Sequence, residues 1–394
     1  PCGRRRAASR CMFHQLPPVG NRVCLGSQPG DEAALQAVTG SDVVRLYQSG
    51  TAALAASITA AIGRGGVTNP EVLLPAYGCP DLVSAAVHAG ARPVLVDLEA
   101  DRPWMDLEQV AAGITPQTVA VIAASLCGIP ERLAELRKLT GQAAITLIED
   151  SAQLVPGGGV RTDWQGDLVV LSFGRGKPVN LLGGGAVLCR DSVLADLLPE
   201  LNTPAPGPFE CLSYRLKALL YNQLISPRLY WLLSFFPFLH IGETRYHELA
   251  GIKPLDSCRR GYLPANIARY RSRDLAIQAK VSKMLDGLAP GSIVSLPVAC
   301  GVDKQQPLLR YPLLVEAGLR DRLLDRLQRH GLGASSMYPA VLPGIEGLED
   351  LLSGQGPFPQ AEQFASRFLT LPTHASVRSA DIHATEADFR AVIG

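Results

Sequence analysis

The sequence predicts an α/β protein built on a large, mainly parallel seven-stranded sheet. Seven short apolar runs alternate with helical stretches, such as Ala52–Ile62 and Pro130–Leu139, through the first half of the chain. Strands separated by helices form a parallel sheet that is covered on both faces. The runs predicted as strands are Val43–Leu46, Val72–Leu74, Pro93–Val96, Val119–Ala123, Ala144–Ile148, Leu168–Leu171 and Ala186–Leu188.

The second half predicts a smaller α+β domain. A long pattern rich in Arg, Lys and Ala over Ala265–Leu288 is typical of a helix, and Leu308–Val315 of a strand. Further helices are predicted at Arg320–His330 and near Glu386–Ile393. We therefore expect a large domain at 12–205, a linking segment at 206–262 and a small domain at 263–394, with residues 1–11 as a disordered extension ahead of a start at Met12.

The linking segment contains an unusually apolar stretch, Leu216–Ile241. A membrane span needs ~20 uninterrupted apolar residues, and Pro227, Arg228 and Pro237 interrupt this stretch. Three alternatives remain: packing at a domain or subunit interface, a pair of helices lying on a membrane surface, or a lid that shapes a substrate site. We expect burial against protein because of the interruptions.

Composition is that of a globular enzyme with few charges. The 394 residues are 47% hydrophobic and 19% charged, which allows a substantial core or subunit interface. The net charge of +1 and the lack of a basic helix or zinc spacing argue against nucleic-acid binding and a metal site. Nine cysteines occur singly, without a Cys-x-x-Cys pair or a secretory segment, which favours a reducing cytoplasm over a disulfide framework.

Polar residues follow two of the predicted strands and define a candidate site. Asp150 ends the segment that precedes Ser-Ala-Gln153, and Ser172 begins a turn that ends at Lys177. Ligands of open α/β sheets collect at the carboxyl ends of strands. A carboxylate, a hydroxyl and a lone lysine suit pyridoxal phosphate (PLP): the carboxylate keeps the ring nitrogen protonated and the lysine forms a Schiff base with the aldehyde.

From about Gly40 to its end, the chain resembles the DegT/DnrJ/EryC1/StrS family of sugar aminotransferases, which are PLP enzymes of fold type I. The segments that carry this resemblance are Ser49–Leu54, Glu71–Pro75, Ala89–Asp97, Glu149–Gln153, Ser172–Lys177, Tyr338–Pro339 and Leu371–His374, in the family order. The resemblance also implies a homodimer.

The resemblance implies a role for each candidate residue. Lys177 would bind the cofactor's aldehyde and then move a proton between the donor Cα and the cofactor's C4′. Asp150 would hold the pyridinium nitrogen, Gln153 would lie near the ring's phenolic oxygen, and Ala152 would lie beneath the ring. A solvated surface lysine and a helix N-cap aspartate are the corresponding structural readings.

The phosphate would lie at the start of the helix that follows Gly50-Thr51. Helix N-termini offer free N–H groups and a positive dipole end, and glycine permits close approach of the backbone. Ser172 would add a hydroxyl to the same phosphate. An ordinary turn and cap is the alternative for Gly50-Thr51.

Two positions depart from the family pattern. Cys79 stands where many relatives carry an aromatic residue that stacks on the cofactor. Either its sulfur packs against the ring, or Tyr77 takes that role, or Cys79 is a small buried filler. The stretch Gly242–Tyr246 lacks the asparagine with which relatives reach the neighbouring subunit's phosphate, which leaves that contact open.

Two further residues allow two readings each. Arg175 either anchors a substrate carboxylate or phosphate or bonds a loop carbonyl. His374 either approaches the active site, as in relatives, or is structural.

These observations predict a PLP-dependent aminotransferase that works in two half-reactions. As the resemblance suggests, glutamate would give its amino group to the cofactor, and a nucleotide-linked keto sugar would receive it in polysaccharide or glycoconjugate synthesis. Lysine at position 177 argues against the dehydrating branch of the family, which has histidine there. The alternatives are another fold-type I PLP enzyme (lyase, decarboxylase or desulfurase) and a non-catalytic scaffold.

Overall fold

The structure is a computed structural model that describes residues 14–26, 31–143, 145–155, 164–203, 207, 209–233, 244–288 and 291–393. The expected extension at 1–11, the start at Met12 and residues 234–241 of the apolar stretch lie outside the described residues.

The seven predicted strands form one sheet in the order β1-β7-β6-β5-β4-β2-β3. They are β1 (Val43–Tyr47), β2 (Glu71–Pro75), β3 (Arg92–Val96), β4 (Thr118–Ala124), β5 (Thr146–Asp150), β6 (Leu168–Ser172) and β7 (Gly185–Cys189). Four of the six strand pairings are parallel, and β7 runs antiparallel to both β1 and β6. The predicted α/β class with a mainly parallel sheet is therefore confirmed.

Helices cover both faces of this sheet. The helices of this half are α1 (Asp31–Thr39), α2 (Gly50–Gly65), α3 (Asp81–His88), α4 (Leu107–Gly113), α5 (Leu133–Gln142) and α6 (Ser192–Leu197). In β2, Val72 and Leu74 pack in the cluster that contains α2 and α3, whereas Leu73 packs with residues of α4 and α5. Because neighbouring side chains of a strand point to opposite faces, a strand covered on both sides must be apolar throughout.

Helix α2 positions the candidate phosphate site. Its alanine-rich sequence favours a helix that packs closely on the sheet. The Ser49 hydroxyl accepts the N–H of Ala52 at 3.0 Å and so caps the first turn. Gly66, with φ of 61°, ends the helix in the left-handed region and donates to the Ile62 carbonyl at 2.9 Å. Its N-terminus is thereby fixed beside the ends of β6 and β7.

The second half of the chain forms a three-stranded antiparallel sheet in the order β10-β9-β8. Its strands are β8 (Ile293–Ser295), β9 (Tyr311–Val315) and β10 (Phe368–Leu371). The helices from residue 210 onward are α7 (Glu210–Leu224), α8 (Pro227–Leu233), α9 (Ser257–Arg260), α10 (Leu263–Arg271), α11 (Ala276–Asp286), α12 (Leu296–Ala299), α13 (Arg320–Arg329), α14 (Pro359–Arg367) and α15 (Ser379–Ile393).

The long helix predicted at Ala265–Leu288 is wrong, because the chain forms α10 and α11 with a break between them. At the break Arg273 turns inward and donates to the Leu308 carbonyl at 2.7 Å. Asp274 accepts the N–H of Ala276 at 2.8 Å, which starts a new helix. These tertiary and capping bonds outweigh a helical pattern that continues through the break.

The strand predicted at Leu308–Val315 begins three residues later, at Tyr311. The N–H of Leu308 donates to the Gln278 side chain at 2.9 Å, and the N–H of Leu309 donates to the Cys127 carbonyl at 2.9 Å. The first residues of the predicted strand therefore join the small sheet to the loop after β4 instead of pairing with a neighbouring strand. The last helix, α15, begins at Ser379, earlier than predicted.

One contiguous apolar cluster joins the two sheets. It includes Ala52 and Leu54 of α2, Tyr77 after β2, and Phe364 and Phe368 of the second half. The Tyr77 ring packs edge-on against Phe364 with ring centroids 5.2 Å apart. Aromatic edge contacts add to the stability gained from area burial. The small sheet is thereby fixed next to the carboxyl ends of the large one.

The described part of the apolar stretch, residues 216–233, forms the end of α7 and all of α8, and the expected burial against protein is not found within the single chain for many of its leucines. Ala218 faces inward, but a set of leucines is exposed: Leu216, Leu219, Leu220, Leu229 and Leu232. A subunit interface stays a prediction for this face. In the part of the chain that the structure describes, no helix is both long and apolar enough to cross a bilayer.

Two cysteines are paired, contrary to the expectation of single thiols. Cys211 of α7 forms a disulfide with Cys258 of α9, with Cα atoms 5.2 Å apart. The two residues are separated by 47 positions in the chain, so no short motif announces the pair. Helix packing brings them together. The free cysteines among the described residues are Cys24, Cys79, Cys127, Cys189 and Cys300.

Candidate active site

The seven residues predicted to form the site line one cleft. They are Gly50, Thr51, Cys79, Asp150, Gln153, Ser172 and Lys177. The cleft encloses about 710 Å³, including the part open to solvent. It lies at the carboxyl ends of β4, β5 and β6 and at the N-terminus of α2, which is where ligands of open α/β sheets bind.

Asp150 is the last residue of β5 and lies at the inner wall of the cleft. One of its carboxylate oxygens accepts the N–H of Ala152 at 3.0 Å, as an N-cap aspartate would. Burial raises the pKa of Asp150, while the Ala152 N–H and the charge of Lys177 act in the opposite direction. A cation in addition to Lys177 would stabilise the charged form of this carboxylate, and the protonated ring nitrogen of a bound cofactor would be such a cation.

Lys177 ends a tight turn whose two sides are held by hydrogen bonds. Its N–H donates to the Gly174 carbonyl at 3.2 Å, and Gly176 adopts a φ of 71° that favours glycine. The Lys177 carbonyl accepts the side-chain amide of Asn21 at 2.9 Å. Burial raises the pKa values of Cys79, Cys127 and Asp150, and the nearby positive charge of Lys177 opposes that rise in each without reversing it.

The start of α2 forms a cradle in which side chains would not fit. A Cβ atom added at Gly50 would lie 2.6 Å from the Ser172 Cβ, and one at Gly185 would lie 2.5 Å from the Ser49 carbonyl oxygen. Glycine is required at both positions because these contacts are far below van der Waals distance. The backbone N–H groups of the first turn and the Ser172 hydroxyl remain near the cleft, an arrangement that suits a phosphate.

Gln153 is held in one orientation by two bonds. Its side-chain oxygen accepts the N–H of Cys127 at 2.9 Å. Its side-chain nitrogen donates to the Tyr338 hydroxyl at 3.2 Å. This fixes which end of the amide is the donor, so the second N–H of Gln153 is available to an acceptor in the cleft.

Tyr77 and Cys79, the two candidates for contact with the cofactor ring, have different surroundings in the structure. The Tyr77 hydroxyl donates to the Tyr338 carbonyl at 3.2 Å, and its ring packs against Phe364, so Tyr77 joins the two sheets although it also touches the cleft. Cys79 lines the cleft near Asp150 and Lys177. Burial raises the pKa of Cys79 to about 12, which keeps its thiol neutral. Contact between this sulfur and the cofactor ring stays a prediction.

Two other predicted residues, and the described part of one predicted stretch, lie outside the cleft lining. The His374 Nε2 donates to the Pro17 carbonyl at 2.9 Å, and burial lowers the pKa of His374 to about 4, so its imidazole is neutral and structural. Arg175 is exposed. In the Gly242–Tyr246 stretch, of which 244–246 are described, Thr244 donates to the Met337 carbonyl at 3.3 Å.

Sequence reasoning missed several groups at the site. Tyr338 was noted only as part of a Tyr-Pro pair, yet its hydroxyl meets Gln153 inside the cleft. Asn21 reaches the Lys177 turn from 156 positions away, and the chain carries no local signal for such a contact. Asp81, at the start of α3, also lines the cleft. Among the described residues no cluster of His, Cys, Asp or Glu could hold a metal ion.

The donor set fits PLP. A buried carboxylate suits the pyridinium nitrogen, a primary amine at the cleft suits the aldehyde, and a glycine cradle at a helix N-terminus suits the phosphate. Together with the fold, this set defines a fold-type I PLP-dependent transferase.

Comparison with known proteins narrows this class. Residues 31–206 match the DegT/DnrJ/EryC1/StrS aminotransferase family. This match confirms, over residues 31–206, the resemblance seen in the motifs, and the chain is a PLP-dependent aminotransferase.

Curated relatives and solved structures agree with this assignment. The chain is 26% identical to a dTDP-3-amino-3,4,6-trideoxy-alpha-D-glucose transaminase of Streptomyces venezuelae, over 89% of this chain and 83% of the relative. It is 25% identical to a transaminase of the same name from Micromonospora megalomicea subsp. nigra, over 78% and 74% of the two chains.

Two solved structures show that the fold is shared. The crystal structure of S. venezuelae DesV in complex with a ketimine intermediate superposes with a TM-score of 0.70 at 23% identity, covering 92% of this chain and 89% of that one. NtdA of Bacillus subtilis, with the cofactor PMP bound, has a TM-score of 0.68 at 17% identity and covers 92% and 76%.

Proposed function

We propose that this aminotransferase moves the amino group of an amino acid, glutamate, to the keto group of a nucleotide-linked sugar. The observation that carries the proposal is the convergence of Asp150, Lys177 and the Gly50-Thr51 helix start on one cleft. The sugar substrate is supported by the activity of the two relatives described above, which are dTDP-amino-sugar transaminases. We also propose a homodimer and a cytoplasmic location, with 12–205 binding the cofactor and 263–394 completing the cleft.

Each cleft residue is given one role. PLP, when bound, supplies an aldehyde that condenses with amines and a ring that accepts electrons. Asp150 holds the proton on the ring nitrogen, and Gln153 donates to the phenolic oxygen. The first turn of α2, from Gly50-Thr51, and the Ser172 hydroxyl bind the phosphate. Cys79 contacts the ring.

Lys177 has two successive roles in the proposal. Its Nζ first binds the cofactor's aldehyde and so places the ring against Asp150. With a donor amino group in its place on the cofactor, the freed Nζ would take the proton from the donor Cα and deliver it to the cofactor's C4′. The turn that ends at Lys177 is held by Gly174 and Asn21, and this fixes the backbone position from which the Lys177 side chain extends.

The test is the visible absorption of the purified protein with added PLP, before and after glutamate. We expect a band of protein-bound PLP that disappears with glutamate as 2-oxoglutarate forms. Lys177→Ala should lack the band and the conversion, whereas Lys138→Ala, an exposed lysine on α5, should behave as the wild type.

Other outcomes contradict the proposal in identifiable ways. Folded protein without a band would mean a scaffold that retains the fold. A band that persists with glutamate, together with release of carbon dioxide or sulfur from another amino acid, would mean a decarboxylase or desulfurase.

A further inference from the structure

Helix α7 carries a stripe of exposed apolar side chains that the proposed function does not use. Phe209, at the start of the helix, is 78% exposed, and Leu216 is 58% exposed. Residues three or four positions apart lie on the same side of a helix, so the exposed apolar residues of α7 form one continuous face. This leucine face consists of Phe209, Leu212, Leu216, Leu219 and Leu220.

The opposite side of α7 is fixed to the rest of the protein. The Tyr214 hydroxyl donates to the Leu181 carbonyl at 3.1 Å, and a disulfide joins α7 to α9. The Asn222 side chain accepts the N–H of Val23 and donates to the Val23 carbonyl, both at 2.8 Å. Because these contacts hold the helix in place, the leucine face is formed in advance and a partner need not order it.

Basic residues flank the leucine face on both sides. An α-helix turns by about 100° per residue, which places Arg215 and Lys217 roughly 100° from the centre of the face in opposite directions. Both side chains are exposed, and neither pairs with a carboxylate in the described ranges. Arg228 adds a third cation and Glu210 is the only carboxylate of α7 and α8, so the two helices carry a net charge of +2.

This combination matches the surface of a bilayer that contains anionic lipids. A helix with one apolar face lies in the plane of such a surface, where its apolar side chains enter the acyl region. Arg and Lys at the edges of the face extend their charged ends to the head groups. Helix α8, which packs against α7, exposes Leu229 and Leu232 next to Arg228 and so has the same composition.

A second copy of this chain, the alternative occupant, matches the leucine face less well. The other exposed large apolar residues that the structure describes are spread over four elements or loops: Val87, Val193, Leu197, Val298 and Leu351. The leucine face of one copy would therefore have to pack on the leucine face of the other. Twofold symmetry would then bring Arg215 and Lys217 of both copies together, and like charges at an interface oppose association.

We propose that the leucine face of α7 binds the surface of a membrane that carries anionic lipid head groups. None of its residues lines the cleft, so the cofactor site stays accessible in the bound protein. The apolar side chains supply the insertion, and Arg215 and Lys217 supply the attraction to anionic lipid. This interaction is independent of the proposed aminotransfer reaction.

The first test is sedimentation of the full-length protein with vesicles of phosphatidylcholine that contain about one-third phosphatidylglycerol. We expect the wild type to bind these vesicles and to bind pure phosphatidylcholine vesicles more weakly. The double variant Leu216→Gln/Leu220→Gln should bind about 10- to 100-fold more weakly, because two half-exposed leucines no longer enter the acyl region. Leu351→Gln is the matched control: it changes an exposed leucine elsewhere and should bind as the wild type.

The second test removes the flanking charges. Arg215→Gln and Lys217→Gln should each weaken binding to the anionic vesicles about fivefold, because each basic residue at such a surface contributes about that much. Neither should alter binding to pure phosphatidylcholine. Lys138→Gln, which removes an exposed lysine of α5, is the matched control and should bind as the wild type. Salt at about 1 M should abolish the differences between these variants, since it screens exposed charges.

Further measurements distinguish a membrane contact from a structural role. The Leu216→Gln/Leu220→Gln variant should keep its Tm within about 2 °C and its conversion of bound PLP by glutamate, because the leucine face lies outside the cleft. The inference is overturned if the wild type does not bind the anionic vesicles, or if the double variant binds them within about twofold of the wild type. A fall in the molar mass of the double variant by light scattering, without vesicle binding by the wild type, would assign the face to a second copy instead. Failure of the PLP conversion in the wild type would refute the proposed function and leave the vesicle result unaffected.

Discussion

Residues far apart in the sequence lie together in the cleft, whereas residues close together in the sequence face different surroundings in the helix pair α7–α8. In the cleft, polar residues from positions 51 to 338 converge on one volume at the carboxyl ends of the large sheet. In α7–α8, adjacent residues diverge: Tyr221 and Tyr230 face the interior near Gly176 and Arg310, while Leu216 and Leu220 face outward. An apolar segment therefore predicts only that part of its surface will pack against something, without showing which residues pack. A set of polar motifs at characteristic spacings, by contrast, predicts which residues lie together in a site.

The largest effect on the reaction is expected from a substitution of Asp150, because the predicted site in the cleft depends on its carboxylate. Asp150→Asn keeps the size of the side chain but removes the charge that holds the ring proton. We expect conversion of bound PLP by glutamate to slow by about 10²- to 10⁴-fold, since proton placement of this kind contributes that much to a rate. Stopped-flow absorbance measures the rate. A rate within threefold of wild type would show that Asp150 does not act on the ring.

The thiols of the cleft give the next test, because burial keeps them protonated. With a pKa of about 12, Cys79 carries about 10³-fold less thiolate at pH 8 than glutathione, whose thiol titrates near 8.5. Alkylation by iodoacetamide in PLP-free folded protein should be slower in that proportion. The rate should rise about tenfold per pH unit through pH 9 without levelling. Peptide mass mapping over time measures it, and fast labelling at pH 7 would contradict the burial.

Gly185→Ala tests whether the cradle is as tight as its geometry indicates. The added Cβ would meet backbone atoms of Ser49 and Gly50 that cannot move aside cheaply. We expect a loss of about 1–3 kcal/mol in the free energy of unfolding and weaker PLP binding. Gly141→Ala is the matched control, since nothing lies within 4 Å of its Cβ and it lies in α5, where alanine is favoured. Equal effects in the two variants would rule out a tight cradle.

The smallest effect is expected on the outer face of α7. Leu216→Gln should change the free energy of unfolding by no more than about 0.5 kcal/mol, because 58% of the side chain is exposed. Leu171→Ala, in the buried strand β6, should cost about 2–5 kcal/mol. Urea unfolding measures both. A Leu216→Gln loss comparable to that of Leu171→Ala, with a fall in molar mass by light scattering, would mean that this face is covered in solution.

Sequence reasoning succeeded where local pattern and chemistry agree. All seven strands of the large sheet were predicted because each is an apolar run bounded by turn residues, and parallel strands buried on both faces must be apolar. The site residues were predicted because they follow those strands at fixed separations. The single long helix at 265–288 was wrong because Arg273 and Asp274 form bonds that helical periodicity does not encode.

Contacts between residues far apart in the chain could not be predicted either, because local sequence patterns do not encode them. The disulfide of Cys211 with Cys258 depends on how α7 and α9 pack, and the bond from Asn21 to Lys177 depends on where the first described segment crosses the large domain.

By itself the sequence determined the fold class, through the periodicity of its apolar runs, and its motifs indicated the cofactor type. It also placed Lys177 and Asp150 after neighbouring strands, and their roles stay predictions. The tertiary structure alone decided which aromatic joins the sheets and which leucines of the described residues stay exposed. These properties depend on burial and on partners distant in the chain, and neither is encoded in a local run of residues.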